Sequence, residues 1–394
     1  MTIRYIDTFS VYSFHQQINA SLLKMIICSF PDERVTYFSS KSNKKAVFEL
    51  IPEELESIEW CRTVVLGGNS PYALLLRYFL SAVLNVMFLL FSKPGQVLVF
   101  NNNNPFSLRI VNFCNRFLKR KVIIVCHGEM EMLLPNRQRG KLTTVLARLI
   151  RGFFLTQKID DNLIFIVLGE SILENLNGFL ARDTFRHFRK VDHPYIYGKN
   201  DAVDAHGDQL HLGFVGCFSY EKGGATFLEL TRELKDYKKI VLSVIGEVSY
   251  GLKELMEGGA ELSNEHGLKF VPADEYASRI RQLDYILLLY PADSYKLTAS
   301  GAVMEAIKWG KPIIAIRNDY FEGLFQKYGD FGYLVNNESE AVNLILSMLS
   351  GREKRNFDFA AIRKQSSPEA ISFQMKNVIE DIKNELKDEE NIAK

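Results

Sequence analysis

The residues best suited to chemistry lie in the segment SGAVMEAIKWGKP, Ser300 to Pro312, which follows an apolar run and a short loop. Its pattern predicts a helix that begins at Ser300, where free backbone N–H groups and the helix dipole favour an anion such as a diphosphate. Gly301 would let a phosphate approach the backbone, and Glu305 could accept hydrogen bonds from sugar or ribose hydroxyls. A serine cap and a glycine stop also suit an ordinary crossover helix, so this interpretation stays open for the segment alone.

A second motif, GFVGCFSYEKGG, runs from Gly213 to Gly224. The pattern predicts that a strand ends at Val215, a glycine turn follows, and a helix begins near Lys222. A lysine at that place can reach a diphosphate as a point charge beside backbone donors. The alternative is a surface lysine at a helix start. The glycine spacing differs from the dinucleotide-binding pattern GxGxxG.

A third candidate is VIIVCHGEMEMLL, in which His127, Gly128 and Glu129 follow a predicted strand. An imidazole or a carboxylate there could bind donor hydroxyls or act as a base, although a loop histidine that caps a strand is the plain alternative. Other polar residues near strand ends predict contacts with an acceptor. The predicted acceptor-binding set is His15, Asn19, Asn101 and Glu129.

The elements that must position these residues follow a regular alternation. Short apolar runs alternate with helical patterns, which predicts parallel sheets covered on both faces, and ligands of such sheets bind at the carboxyl ends of the strands. The predicted strands are Arg34–Phe38, Thr63–Leu66, Val97–Phe100, Val122–Cys126, Leu163–Leu168, His211–Val215, Ile240–Ile245, Leu268–Val271, Tyr285–Tyr290, Pro312–Ile316 and Gly332–Val335. The predicted helices are His15–Ile27, Pro71–Phe91, Ser107–Leu118, Lys141–Thr156, Ser171–Leu176, 223–236, 251–258, 274–283, 301–309, 320–328 and 338–350.

The alternation is interrupted at 192–209, DHPYIYGKNDAVDAHGDQ, a polar stretch typical of a linker. We therefore expect an acceptor-binding domain over 1–199 and a nucleotide-sugar-binding domain over 200–366. Ser367–Lys387 has the apolar spacing of an amphipathic helix. We expect this last part, 367–394, to pack back on the first domain.

The first two motifs, in this order and spacing, resemble the nucleotide-binding domain of GT-B glycosyltransferases, nearest to family 4. Glu221-Lys222-Gly223 matches the phosphate-binding loop of that family, and Glu305-Ala306 with Gly310-x-Pro312 matches its later motif. Two positions depart from it. Cys217 stands where the family usually has a phosphate-binding arginine, and Leu297 stands where the first glutamate of Glu-x7-Glu would be. The resemblance covers about 210–336, and the first half only by architecture.

The resemblance implies an α/β fold of GT-B architecture, in which two doubly wound Rossmann-like domains face a central cleft. It also implies a metal-independent enzyme that retains configuration and uses a nucleoside diphosphate sugar, most simply a UDP-sugar, as co-substrate, with no further cofactor. The implied donor-binding residues are Gly216, Cys217, Gly246, Pro272, Ala273, Lys296, Ser300, Gly301, Ala302 and Glu305, and the implied catalytic residues are His127, Lys222 and Glu305. Lys296 enters this set as a hypothetical replacement for the missing arginine charge.

Charge and composition point to partners and a compartment. Residues 1–199 carry 25 Lys and Arg against 16 Asp and Glu, and within 101–158 the ratio is eleven to two, which suits an anionic membrane surface as well as a solvated basic face. Five scattered cysteines favour a reducing compartment. We therefore expect a cytoplasmic protein, peripheral on the inner face of the membrane, with a saccharide or lipid-linked acceptor.

The apolar segment Tyr72–Phe91 contains Arg77 and Asn85, which favours a core or partly membrane-facing helix over a span.

Two other classes of function remain open at this point. A nucleotide-sugar epimerase on the same fold would act on the donor alone. An inactive nucleotide-sugar-binding protein would explain Cys217 and Leu297. Nucleic-acid binding is the weakest alternative, because the basic residues lack interleaved aromatic stacking platforms.

Overall fold

The computed structural model describes residues 2–68, 70–135, 140–198, 208–249, 251–262, 271–353 and 355–392, without the side chains of 252 and 383–392. The chain forms two compact units. Unit 1 comprises Met1–Ile196, Leu297–Ala299 and Ser366–Lys394, and unit 2 comprises Tyr197–Lys296 and Ser300–Gln365.

Unit 1 contains a seven-stranded parallel sheet in the order β3-β2-β1-β4-β5-β6-β7. The strands are β1 (Thr2–Ile6), β2 (Arg34–Ser39), β3 (Ile58–Arg62), β4 (Gln96–Phe100), β5 (Lys121–Val125), β6 (Leu163–Val167) and β7 (Phe188–Lys190). The helices are α1 (Gln16–Ser29), α2 (Lys41–Phe48), α3 (Pro71–Leu90), α4 (Leu108–Leu118), α5 (Lys141–Phe154), α6 (Glu170–Phe179), α7 (Arg182–Phe185) and, after unit 2, α15 (Pro368–Ile392). The central strands are buried on both faces, as parallel strands covered by helices require.

Two hydrophobic cores cover the two faces of this sheet. One holds α1 and α15, and α15 contributes Ile371, Met375 and Ile379 to it. The other core takes the inner faces of α3, α4 and α5, with Leu89, Val111 and Phe153 among its buried members. These three helices therefore form one layer on one face of the sheet.

Unit 2 contains a six-stranded parallel sheet in the order β10-β9-β8-β11-β12-β13. The strands are β8 (Leu210–Val215), β9 (Ile240–Ile245), β10 (Glu261–Leu262), β11 (Tyr285–Leu288), β12 (Ile313–Ile316) and β13 (Gly332–Val335). The helices are α8 (Gly224–Leu234), α9 (Leu252–Glu257), α10 (Ala273–Arg281), α11 (Gly301–Trp309), α12 (Asp319–Tyr328), α13 (Glu338–Leu349) and α14 (Phe359–Gln365).

Most predicted elements are present within a few residues of their expected bounds, and the predicted doubly wound α/β class is confirmed. The predicted strand Thr63–Leu66 is wrong, because the strand is β3, Ile58–Arg62, immediately before it. The strands β1, β7 and β10 were not expected. Most of the predicted strand Leu268–Val271 lies outside the described residues.

Candidate active site

The strand ends of unit 2 bring the first two motifs together. β8 lies between β9 and β11, so the loops after these three strands are neighbours at the carboxyl edge of the sheet. Gly216 follows β8 and donates its backbone N–H to the carbonyl of Ile245, the last residue of β9, over 2.9 Å. Phe218 donates to the carbonyl of Glu247 over 2.7 Å. The segment after β8 is therefore held against the segment after β9.

Glycine is required at two points of this edge. Gly223 has φ +84°, and a Cβ there would overlap the carbonyl of Leu289, which follows β11. Gly246 has φ +142°, and a Cβ there would overlap the carbonyl of Gly216. Only glycine combines a positive φ with such close backbone contact. These contacts place Lys222, beside Gly223, at the ends of β8 and β11.

Lys222 lies over the turn after β8. Its Nζ would be 3.8 Å from a Cβ built on Gly216, so the ammonium group covers that glycine. Burial lowers the pKa of Lys222, while the Cys217 side chain acts to raise it. A partly desolvated ammonium group gains more from an incoming anion than a fully hydrated one would. Cys217 itself is exposed, with its Sγ 3.7 Å from the Oγ of Ser249.

The N-terminus of α11 lies on the same side of the sheet. The Ser300 hydroxyl bonds to the hydroxyl of Tyr290 over 3.0 Å, so its side chain does not cap the helix. The Ser300 backbone N–H is already bonded to the hydroxyl of Tyr320 over 3.0 Å. Gly301 is exposed and Ala302 half-exposed. Of the three predicted backbone donors, Gly301 and Ala302 are therefore the two placed to meet an anion.

The remaining predicted donor residues lie around this edge of unit 2. Glu305 is half-buried on α11, and its Oε2 accepts a hydrogen bond from the Trp309 indole over 2.9 Å. Pro272 and Ala273 are exposed at the start of α10. Lys296 is half-buried in the loop that follows β11, next to Tyr295, whose ring stacks on Tyr290 with centroids 4.3 Å apart.

Sequence reasoning missed Tyr276 and the pair Tyr290 and Tyr320. Tyr276 is on α10, and burial together with the Glu305 carboxylate raises its pKa, which places its hydroxyl near that carboxylate. Tyr290 and Tyr320 hold Ser300 by the two hydrogen bonds described above. An aromatic residue in an apolar stretch gives no signal of such a role until its partner is known.

Leu297 is placed in unit 1. Its side chain is 1% exposed, within the core that α3, α4 and α5 cover. Its backbone N–H donates to Oε1 of Glu131 over 2.7 Å. The residue that replaces the expected glutamate is therefore a core residue, and its side chain has no polar group to offer a donor.

Unit 1 has its own cavity, of about 210 Å³, at the ends of β1, β4 and β5. Three predicted residues share it with His127: His15, Asn101 and Glu129. The sequence did not single out most of the other lining residues, which are Phe9, Ser10, Phe14, Tyr78, Asn102, Asn103, Gly128 and Met132. Chain positions more than a hundred residues apart thus meet at one site.

His127 and Glu129 form the polar centre of this cavity. The backbone N–H of His127 donates to Oε1 of Glu129 over 2.9 Å, and its ring Nε2 lies 2.9 Å from the carbonyl oxygen of Asn101. Burial, with a smaller contribution from the nearby His15, lowers the pKa of His127 to about 3. Burial raises the pKa of Glu129 to about 7, against hydrogen bonds that favour its charged form. Near neutral pH the histidine is thus uncharged, and the carboxylate is the group that changes charge.

A buried polar network supports the cavity from below. Asp7 accepts hydrogen bonds from the backbone N–H groups of Phe9 and Ser10 over 2.9 and 2.8 Å, which shapes the loop after β1. Asn19 donates to Asp7, and Asn101 donates to Asn19, each over 2.5 Å. Asn19 is fully buried, so it supports the cavity instead of lining it as predicted.

Asn103 is the one lining residue with an unsatisfied buried atom. Its side chain is 1% exposed, and its Oδ1 has no hydrogen-bond partner within the described residues. Its Nδ2 lies 3.7 Å from the Cys126 sulfur and 3.5 Å from the Met130 sulfur, and its side chain also hydrogen-bonds to Glu129. A buried carbonyl oxygen without a partner costs about 1–3 kcal/mol, and a ligand hydroxyl would remove that cost.

A larger cavity in unit 2, of about 540 Å³, lies at the β13 edge. Four of its charged groups form ion pairs, and the fifth, Glu340, accepts hydrogen bonds from Asn336. Arg317 bonds to Glu322 over 2.9 Å, and Arg355 lies 3.7 Å from Asp330. It contains none of the predicted site residues.

Comparison with known protein families gives a match for the part of the chain that contains the motifs Gly213–Gly224 and Ser300–Pro312. Residues 199–361 match the model of the family described as "Glycosyl transferases group 1", so this part of the chain is similar to that family. No curated protein sequence matches the chain significantly.

The whole chain resembles solved structures of GT-B glycosyltransferases. Anabaena HepE crystallised with UDP is 14% identical, with a TM-score of 0.57 and coverage of 97% of this chain and 100% of that one. HepE with UDP-glucose is 12% identical, with a TM-score of 0.53 and coverage of 98% and 100%. The apo lipopolysaccharide outer core galactosyltransferase WaaB is 14% identical, with a TM-score of 0.60 and coverage of 96% and 99%. The predicted GT-B fold is confirmed.

Proposed function

We propose that the protein is a glycosyltransferase of the hexosyltransferase type, which moves a sugar from a nucleoside diphosphate sugar to a saccharide or lipid-linked saccharide in surface polysaccharide assembly. The observation that carries the proposal is the edge of unit 2, where Lys222 lies at the ends of β8 and β11 and Gly301 and Ala302 begin an uncapped helix. We assign donor binding to the predicted domain 200–366 and acceptor binding to the predicted domain 1–199 with 367–394.

A diphosphate suits these groups because they are all electropositive. Lys222 offers a partly desolvated ammonium group, and α11 offers backbone N–H groups at the positive end of its dipole. Both interactions strengthen as negative charge gathers on a departing nucleoside diphosphate, which is the condition for stabilising a transition state. The same groups would do the work that a metal ion does in other transferases, and we propose metal-independent transfer on that ground.

The remaining donor contacts follow from position. Gly216 and Gly246 keep the strand ends free of side chains, Pro272 and Ala273 are exposed where a base could lie, and Glu305 would hold the ribose. HepE binds UDP and UDP-glucose according to its two structures, which supports a UDP-sugar here. We also propose that Lys296 supplies the charge that Cys217 does not.

The cavity of unit 1 suits a sugar hydroxyl group better than a charged ligand. It offers an uncharged imidazole at His127, a carboxyl at Glu129 and the unpaired Oδ1 of Asn103, all groups that accept hydrogen bonds. We propose that His15, Asn101 and Glu129 border the acceptor and that His127 faces the transferred sugar. Transfer then requires that both units bring their ligands together, with water excluded.

Retention of configuration is proposed from the resemblance to family 4. Because Leu297 is a core residue, the usual glutamate contact to the donor sugar has to come from elsewhere or be absent. The anomeric configuration of the product, read by NMR against that of the donor, tests this part of the proposal. An inverted product would contradict it.

The decisive first experiment is a thermal-shift screen of nucleoside diphosphates and nucleotide sugars. A ligand at 100 times its Kd stabilises the folded protein by about 2.7 kcal/mol, which a melting curve detects. We expect UDP and one UDP-sugar to raise the melting temperature of the native chain and not of Lys222→Met. If no nucleoside diphosphate shifts the native protein, the donor proposal is wrong.

An inactive nucleotide-sugar-binding protein is the second candidate, favoured by Cys217 and Leu297. It predicts the same thermal shift with neither transfer nor hydrolysis of the donor. Release of UDP above background excludes it.

We further propose that the protein works in the cytoplasm, peripherally at the inner face of the membrane. The basic balance of its first half supports this location.

A further inference from the structure

The outward faces of α3 and α4 form an unusual surface on unit 1. α3 packs beside α4, and both bury their inner faces in the same core, so their outer faces point away from the sheet together. The exposed large apolar side chains of this surface are Tyr72, Leu75, Leu76, Phe79, Val83, Met87, Leu90 and Phe91 on or just after α3, and Ile110, Phe113 and Phe117 on α4. We call these eleven residues the apolar face.

The apolar face is continuous along α3. Its exposed positions recur at helical spacing through the whole 20-residue helix, which is about 30 Å long. Tyr72 is 86% exposed, Phe79 60% and Phe117 75%. Soluble proteins rarely expose contiguous apolar patches of this extent, and those that do usually bind a protein or a membrane there.

The part of the sequence that contains the apolar face is rich in positive charge. Between residues 63 and 159 the sequence has thirteen Lys and Arg but only two acidic residues, Glu129, which lines the cavity, and Glu131, which bonds to the backbone of Leu297. Asp160, the next acidic residue, lies 3.3 Å from the ammonium group of Lys119. Arg109 and Arg116 are exposed on α4 among its aromatic residues, and they donate to the carbonyls of Gly152 and Lys158. Arginine beside aromatic and aliphatic side chains is the composition of helices that lie in the membrane interface.

We infer that the apolar face inserts into the headgroup region of an anionic lipid bilayer, with α3 lying along the membrane plane and the arginines of α4 at the phosphates. This inference rests on the proposed membrane location but not on the proposed chemistry. It adds α3, which the charge pattern alone did not implicate, as the inserting element.

Buried hydrogen bonds hold α3 against unit 1, which suits a helix that lies on a membrane and does not cross it. The Arg77 guanidinium donates to the carbonyls of Leu66 and Gly68, each over 2.6 Å. Ser81 and Asn85 bond to Thr8 over 2.7 and 2.8 Å. A spanning α3 would carry these polar groups into hydrocarbon and lose every one of these bonds. α3 is long and apolar enough to span, yet its inner face belongs to unit 1.

A second copy of the chain is a poorer occupant. A two-fold dimer through this surface would set the same basic region against itself. Like charges then repel across the contact, whereas anionic lipid attracts basic residues near its surface.

Co-sedimentation with vesicles tests the inference. Native protein is mixed with phosphatidylcholine vesicles and with vesicles that contain about a third phosphatidylglycerol, in low and high salt. We expect binding that needs the anionic lipid and weakens in high salt. The variant Phe79→Ser/Val83→Ser/Met87→Ser should lower the partition coefficient at least tenfold, and so should Arg109→Glu/Arg116→Glu. The matched control, Tyr237→Ser/Met256→Ser/Phe373→Ser, removes exposed apolar residues elsewhere and should bind like the native protein.

A depth measurement adds a direct readout. In the variant Phe79→Trp, the fluorescence of the introduced tryptophan should be quenched by lipids brominated on their acyl chains. In Tyr237→Trp, the fluorescence of the introduced tryptophan should not be quenched. Absent vesicle binding, or equal binding by all variants, overturns the inference. A dimer that only the α3 variant dissociates, without lipid binding, also overturns it in favour of a protein contact. The nucleotide thermal shift is measured on every variant, so that failure of the membrane surface and failure of the donor site are read separately.

Discussion

In unit 2 the groups that we propose to meet a ligand come mainly from the backbone at the ends of β8 and β9 and at the start of α11, whereas in unit 1 they come from side chains of several separate loops. The glycines of unit 2 permit close backbone approach, and Lys222 is the main side chain added. The cavity of unit 1 depends on Asn103, His127 and Glu129, held by a buried network. A backbone site accepts any ligand with the right charge, while a side-chain site selects among similar hydroxyls. We therefore expect unit 2 to determine binding strength and unit 1 to determine acceptor choice.

Gly223→Ala should have the largest effect. The added Cβ meets the Leu289 carbonyl and the residue keeps a positive φ, so we expect a loss of about 4 kcal/mol in the free energy of unfolding and no donor binding. Gly259→Ala is the control, because Gly259 also has a positive φ but has open space around it. It should cost about 1 kcal/mol. Equal losses in urea denaturation would show that the backbone contact is unimportant.

Lys222→Met keeps the length of the side chain and removes its charge. We expect donor kcat/KM to fall about 100-fold, or roughly 2.7 kcal/mol, with little change in stability. Lys235→Met, which changes an exposed lysine after α8, serves as the control.

Lys296→Ala should lower donor kcat/KM at least tenfold, about 1.4 kcal/mol. An unchanged donor kcat/KM for Lys296→Ala would contradict the proposal that Lys296 supplies the charge that Cys217 does not.

Glu129 should give acceptor binding a pH dependence. Because burial raises its pKa to about 7, the carboxylate that accepts hydroxyl hydrogen bonds forms as pH rises from 6 to 8, and acceptor KM should fall several-fold. Donor KM should not follow. Since the pKa exceeds the ordinary 4.5, Glu129 also lowers the free energy of unfolding as pH rises from about 4.5 to about 7. Glu129→Gln should flatten both profiles, and a Gln variant with the native KM profile would assign the titration to another group.

The smallest expected effect is that of Asn103→Leu on stability, and it separates this lining asparagine from the supporting Asn19. Asn103→Leu removes an unpaired carbonyl together with the hydrogen bond to Glu129, and because these two losses act in opposite directions, stability should change by less than about 1 kcal/mol while acceptor KM rises about fivefold. Asn19→Leu leaves the Oδ2 of Asp7 and the Nδ2 of Asn101 without their bonds to Asn19, and should cost about 3 kcal/mol of stability. The opposite ranking in thermal melts would contradict the assignment of the two residues.

The same contrast explains what the sequence could predict. The donor edge depends on local patterns, since a strand, a glycine turn and a helix start lie within a dozen residues at Gly213–Gly224. The cavity depends on distant positions, and nothing in the run NNNN distinguishes Asn101 from Asn103 before the fold places one beside Asn19 and the other beside Glu129. The prediction placed strand β3 a few residues too late. The true strand, IEWCR, is half-exposed and polar, whereas the more apolar TVVL that follows it is a loop. Hydrophobicity around most of α3 likewise predicted a helix without revealing that one face stays uncovered.

The position of α15 has a consequence for synthesis of the chain. Unit 1 begins at the N-terminus, yet Ile371, Met375 and Ile379 complete one of its two cores. At about 5–20 residues per second, the roughly 170 residues between Ile196 and Ser366 take on the order of ten to thirty seconds to translate. During that interval the emerging first half has an open apolar groove along α1. A ribosome-bound chaperone could bind this groove until α15 leaves the ribosome and covers it.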